Sequence, residues 1–164
     1  MKKLQNEIKK GRILVSDGAW GTFLHKKGLQ TGECPELWNL THRDAVLDIA
    51  KSYIKSGSDI ILTNSFGGSP IKLAHYDLKD KAVEINKAAA EISREAAGDK
   101  HLVLGSIGPT GVILSMGQVS EQEVYDGFRL QAESLMNGGV DAICIETMSA
   151  IDEAVLAVRA SKEA

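Results

Sequence analysis

The sequence predicts an α/β fold of successive strand–helix units around a parallel sheet. Three observations predict it. Four short apolar runs alternate with four segments of helical period. Those runs are rich in Ile, Val and Leu on both faces, as strands covered on both sides require. And two of the units repeat each other, the mark of a (β/α) architecture.

The chain opens with MKKLQNEIKKGR, whose basic and apolar residues alternate, and this reads as a short solvated helix. RILVSD (12–17) is the first strand. HRDAVLDIAKSYIKSG follows as a helix, with Val46, Ile49, Ala50, Tyr53 and Ile54 on one stripe and a stop at Gly57. SDIILTN (58–64) is the second strand, and the Ala-rich LKDKAVEINKAAAEISREAAG is a helix ending at Gly98. HLVLGSIG (101–108) is the third strand. Ser120, with Glu123 three residues on, has the spacing of a capping box and opens SEQEVYDGFRLQAESLMNGG, which closes at Gly138-Gly139. VDAICIET (140–147) is the fourth strand, and SAIDEAVLAVRASKEA, opening with Ser149, is the fourth helix.

The repeat lies in SGSDIILTN and GGVDAICIE, where Gly57 matches Gly139, Asp59 matches Asp141 and Asn64 matches Glu146. Right-handed crossovers place all four strand ends on one face. Polar residues collect there: Asp17, Thr63-Asn64-Ser65, Ser106 with Gly108-Pro109-Thr110, and Glu146-Thr147. In barrels and open α/β sheets the active site lies at that face. A carboxylate at a strand end is costly to desolvate without a partner, and Gly18 and Gly21 beside Asp17 let backbone approach a ligand. Asp17 is therefore expected at the floor of a pocket.

At 43% hydrophobic and 25% charged, the chain can bury a core. A formal net charge of −3 with interspersed signs excludes a nucleic-acid footprint. No apolar run approaches the roughly 20 residues of a membrane span, and a cytoplasmic location is expected. Cys34 and Cys144 form no metal spacing, nor do His25, His42, His75 and His101. Trp38 is expected to pack, and Cys144 to be a small buried hydrophobe.

DGAWGT, SGSDIILTNSFG, GSIGPTG and GVDAICIETM together resemble the amino-terminal part of homocysteine S-methyltransferase domains, from about Ile13 onward. Gly67-Gly68 after TNSF is closer to methionine synthases than to the betaine enzymes, which place a bulky aromatic there. The resemblance implies a (β/α) TIM-barrel type fold in which residues 1–164 are the N-terminal half, the first four of eight β/α units. It implies methyl transfer to the thiol of homocysteine to give methionine. In the family, zinc held by three cysteine thiolates activates that thiol. One thiolate follows the sixth strand and a Cys-Cys pair follows the eighth, so neither Cys34 nor Cys144 matches a ligand. The implied substrate contacts are Asp17 and Glu146 for the ammonium, backbone N–H groups near Gly18, Ala19 and Trp20 for the carboxylate, and Asn64 and Ser65 along the neighbouring wall. No catalytic residue and no metal ligand is assigned to this chain, and the isolated chain is expected to be inactive. The methyl donor, a cobalamin or another, would come from another domain or protein.

Two alternatives stand beside this reading: a non-catalytic, self-associating half-barrel that at most binds an amino acid, and a different (β/α) enzyme, for example one acting on a pterin. Side chains including Leu14, Ile61, Leu62, Val103, Ile143 and Ile145 are expected to fill a barrel interior, and open strand edges invite self-association.

Overall fold

The computed structural model describes residues 2–164. Its sheet is parallel, with β1 (Ile60–Leu62), β2 (Leu102–Ile107) and β3 (Ala142–Ile145) in the order β1-β2-β3. Ile61 pairs with Val103, and Ser106 with Cys144. Around it lie α1 (Lys2–Lys9), α2 (Gly21–Lys26), α3 (Trp38–Thr41), α4 (Arg43–Lys55), α5 (Pro70–Leu73), α6 (Ala82–Ala97), α7 (Glu121–Asn137) and α8 (Ile151–Glu163). Successive long helices pack side by side: α4 on α6, α6 on α7, and α7 on α8. Alanines let α6 fit between its neighbours, with Ala82, Ala89, Ala90 and Ala97 all buried.

The expected first strand, 12–17, is reduced to one parallel bridge between Ser16 and Ile60. The Val15 carbonyl accepts the Ile60 N–H at 3.1 Å, and Asp17 donates its own N–H to Ile60 at 3.0 Å. One step further along a parallel ladder, the Leu62 N–H would meet the carbonyl of residue 17. Here the Asp17 carboxylate takes that N–H at 2.9 Å, and the strand stops.

The repeat is physical as well as textual. Gly57 and Gly139 end their helices at φ +99° and +98°, in the left-handed region that favours glycine. Asp59 then accepts the N–H of Val15 at 3.0 Å, and Asp141 that of Val103 at 2.8 Å. In each unit an aspartate at the start of one strand ties down the start of the strand before it.

Of the side chains expected inside a barrel, Leu62 lies on the face away from the helices, whereas Ile61, Val103, Ile143 and Ile145 turn to the helix layer. Ile61, Val103 and Ile107 are fully buried against the helices with Val124, Phe128 and Leu135, and Ile143 and Ile145 pack on the same cluster. Strand alternation then gives the opposite face to Leu62, Leu104, Ser106, Ala142, Cys144 and Glu146. The bulky β-branched residues thus serve the sheet–helix layer. A second cluster joins Leu24, Leu29, Trp38, Val46 and Ile49 to Ile92, so Trp38 packs as expected.

Ser120 caps α7 with a full capping box: its hydroxyl accepts the Glu123 N–H at 3.2 Å, and Glu123 accepts the Ser120 N–H at 2.9 Å. Ser149 does not cap α8, which begins at Ile151 after Ala150. That helix is anchored from within, because buried Glu153 accepts the N–H of Thr110 at 2.8 Å. Among the described residues no helix is long and apolar enough to cross a membrane.

Candidate functional site

A cleft of about 380 Å³ opens at the carboxyl ends of the strands. Gly18, Ala19, Trp20, Asn64, Ser65 and Glu146 all line it, so the structure brings together six residues that the sequence singles out across 129 positions. Asp17 stands one residue back from the lining. Its Oδ2 accepts the Trp20 indole N–H and the Leu62 N–H, both at 2.9 Å, and its Oδ1 accepts the Ser16 hydroxyl at 3.1 Å. Burial raises the Asp17 pKa against these bonds, which favour the ionised form.

The floor is a hydroxyl relay across three strand ends. Thr63 Oγ1 accepts the N–H of Ser106 at 3.0 Å. The Ser65 hydroxyl donates to the Ser106 carbonyl at 2.7 Å, so at the 2.5 Å Thr63–Ser65 contact Thr63 is the donor. Ser106 then donates its own hydroxyl to Glu146 Oε1 at 2.7 Å. Glu146 is held by one oxygen, while Oε2 has only a 3.5 Å contact from Thr147. Thr147 follows at φ +58°, an uncommon conformation for a β-branched residue, and turns the chain away from the sheet.

Asn64 faces the other way. Its amide donates to the Pro35 carbonyl at 2.8 Å and to Asn39 at 3.0 Å, which stitches the loop after β1 to the 35–39 segment. Across the cleft, no acceptor among the described residues meets the N–H groups of Ala19 and Trp20. Phe66 completes the rim, lying over Gly108, where an added Cβ would come within 2.4 Å of its ring.

Two further residues line the cleft: Ser106, which the sequence places at this face by its strand end, and Glu36, which it does not. Glu36 borders the cleft from the turn Pro35–Leu37 and is only 6% exposed. Its one local signal is an acid set among Cys34, Pro35, Leu37 and Trp38. The Cys34 thiol donates to it at 3.3 Å. Burial, followed by the charge of Glu36, pushes the Cys34 thiol up to about 12.

The cleft is electronegative. Glu36 and Glu146 line it and no Lys, Arg or His does. Burial raises the Cys144 thiol, and the charges of Glu146 and Asp17 raise it further. Such a site suits a cationic group at its acidic wall and an anionic one at the Ala19–Trp20 backbone. Zinc does not fit the residues present. The resemblance implies three thiolates, the chain has two cysteines, and among the described residues no three His, Cys, Asp or Glu side chains are placed to hold a metal ion.

Residues 14–164 match the family model described as homocysteine S-methyltransferase. Methionine synthase of Mycobacterium leprae (strain TN) is 31% identical over 165 residues, covering 93% of this chain and 14% of that protein. Methionine synthase of Mycobacterium tuberculosis (strain ATCC 25618 / H37Rv) is 30% identical with the same coverage. The chain therefore spans only 14% of the length of these curated relatives. The metallated form of the homocysteine methyltransferase MmuM from Escherichia coli shares the fold, with a TM-score of 0.81 at 22% identity, over 98% of this chain and 62% of that one.

Proposed function

The chain belongs to the homocysteine S-methyltransferase family, and from that premise we propose that it supplies the amino-acid-recognition half of a homocysteine-binding site. Residues 1–164 form the first four of eight β/α units of a barrel domain on this reading, with the 12–17 segment as the first strand. Glu146, backed by Asp17, receives the ammonium. The free N–H groups at Ala19 and Trp20, beside Gly18, receive the carboxylate. Asn64 and Ser65 hold the wall between them. The observation that carries the reading is one cleft in which an acidic wall and unpaired backbone donors stand together, as a zwitterion requires.

Recognition and orientation are this chain's own part in the reaction. Zinc, as the resemblance implies it, would make the homocysteine sulfur a thiolate, but the ligands for it do not come from these residues. No methyl-transfer step is assigned to this chain, and the donor, cobalamin-borne or other, belongs to another domain or protein. Isothermal titration with homocysteine tests the reading. Saturable binding is expected, weakened about tenfold in Glu146→Gln through loss of a charged contact. Absence of binding, or equal binding by the variant, overturns it.

The chain is also expected to self-associate through its sheet edges. Its accessible surface of 8757 Å² exceeds the about 7,900 Å² of a compact monomer of this mass. Ile13 and Val15 are exposed beside β1, and Ile151, Val155 and Val158 form an exposed stripe on α8 beyond β3.

A further inference from the structure

Glu36 is more than nine-tenths buried, and a carboxylate so far out of water is ordinarily held by a counter-charge. Among the described residues it has none, since no ion pair of the molecule includes it. Two neutral donors hold it instead, the Gly67 N–H at 2.7 Å on Oε1 and the Cys34 thiol at 3.3 Å on Oε2. Lys72 passes nearby without forming an ion pair with it. Its Cγ and Glu36 Oε1 lie 3.3 and 2.9 Å from where a side chain on Gly67 would begin, but its ammonium continues to Gly111. Gly67 is thus what lets the carboxylate come so close to the loop after β1. A carboxylate offers roughly four acceptor positions, so Glu36 keeps capacity to accept on the side where it borders the cleft.

We propose that Glu36 is a specificity-determining residue of this cleft, and that its uncompensated charge selects ligands bearing a primary ammonium over neutral ones of the same shape. The inference rests on the amino-acid reading above and deepens it. Glu36 stands with the loop after β1 and Glu146 at the end of β3, so β2 lies between the two acids. A single ammonium gains from Glu146 by contact and from Glu36 through the field of a poorly solvated charge. The same field penalises a second anionic group at that wall, so a dicarboxylate is rejected there.

The test is titration calorimetry on the full chain with homocysteine and with 4-mercaptobutyrate, which lacks only the amine. Glu36→Gln keeps the shape and removes the charge. It is expected to weaken homocysteine by about threefold, less than Glu146→Gln does, while 4-mercaptobutyrate binds as well as before or better. Equal weakening of both ligands means a merely structural role and overturns the inference, as does no change in either. Glu36→Asp keeps the charge but draws it back by a methylene. It is expected to give a preference between those of wild type and Glu36→Gln, and it carries the test if the glutamine variant does not fold. Failure of the amino-acid reading looks different, because homocysteine then fails to bind the wild-type chain. In that case 3-mercaptopropylamine against propanethiol still reads the preference for an ammonium. If Glu36→Gln leaves that pair unchanged too, the selectivity assigned to Glu36 is wrong in its own right.

Discussion

Replacing Asp141 by alanine removes the clasp between the starts of β2 and β3, and the structure sets the size of the effect. Asp141 Oδ2 accepts the N–H of Val103 at 2.8 Å and is paired with Arg94 at 2.6 Å. Arg94 is not orphaned by the change, because it still donates to the carbonyls of Gly139, Gly98 and His101 at 3.0, 3.0 and 3.4 Å. The Val103 N–H is orphaned, on a residue with no exposure at all. An unsatisfied buried donor costs about 1–3 kcal/mol, and the lost charged bond adds to it, so about 3 kcal/mol is expected. For a chain of this size that lowers the thermal midpoint by about 6–12 °C. Asp59→Ala, the matching change in the other unit, gives a much smaller shift, since Val15 is 55% exposed and water can take its N–H. Urea and thermal unfolding followed by circular dichroism measure both variants. Equal shifts, or a larger one for Asp59→Ala, would refute the claim that burial of the receiving N–H sets the cost.

Two further outcomes are expected. Burial holds the Asp17 pKa above its ordinary 3.8, so its protonated form favours the folded state; that contribution is complete below about 3.8 and is lost as pH rises through the raised value. Asp17→Asn can keep the bonds to Leu62 and Trp20, so the stability of wild type relative to this variant should fall as pH climbs through that window, and a rise would contradict the assignment. For assembly, light scattering on dilute protein should give a mass above 17.6 kDa, whereas a clean, cooperatively unfolding monomer would rule out pairing through the sheet edges.

Much of the molecule is legible in the sequence because it is decided within a few residues. Helical period, the Ser120–Glu123 capping box and the left-handed stops at Gly57 and Gly139 are local, and all are present in the structure. The repeat of Gly57-Ser58-Asp59 in Gly139-Val140-Asp141 carried its meaning intact, since each aspartate reaches the strand before it. The polar strand ends were also readable, because parallel topology alone sends them to one face. What the tertiary structure alone decided involves partners far apart in the chain or two faces that look alike. Strands buried on both sides read as continuous apolar runs, so no alternation tells which face meets the helices. Packing of Ile61, Val103, Ile143 and Ile145 against the helix layer settled that, and left Ser106, Cys144 and Glu146 for the other side. The first strand was cut short by a side chain replacing its own carbonyl as acceptor for Leu62, a choice between two oxygens of Asp17 that no pattern encodes. Glu36 enters the cleft because Gly67, 31 positions away, presents its N–H there. A carboxylate is stable out of water only where folding delivers its donors, and that delivery is a property of the assembled chain.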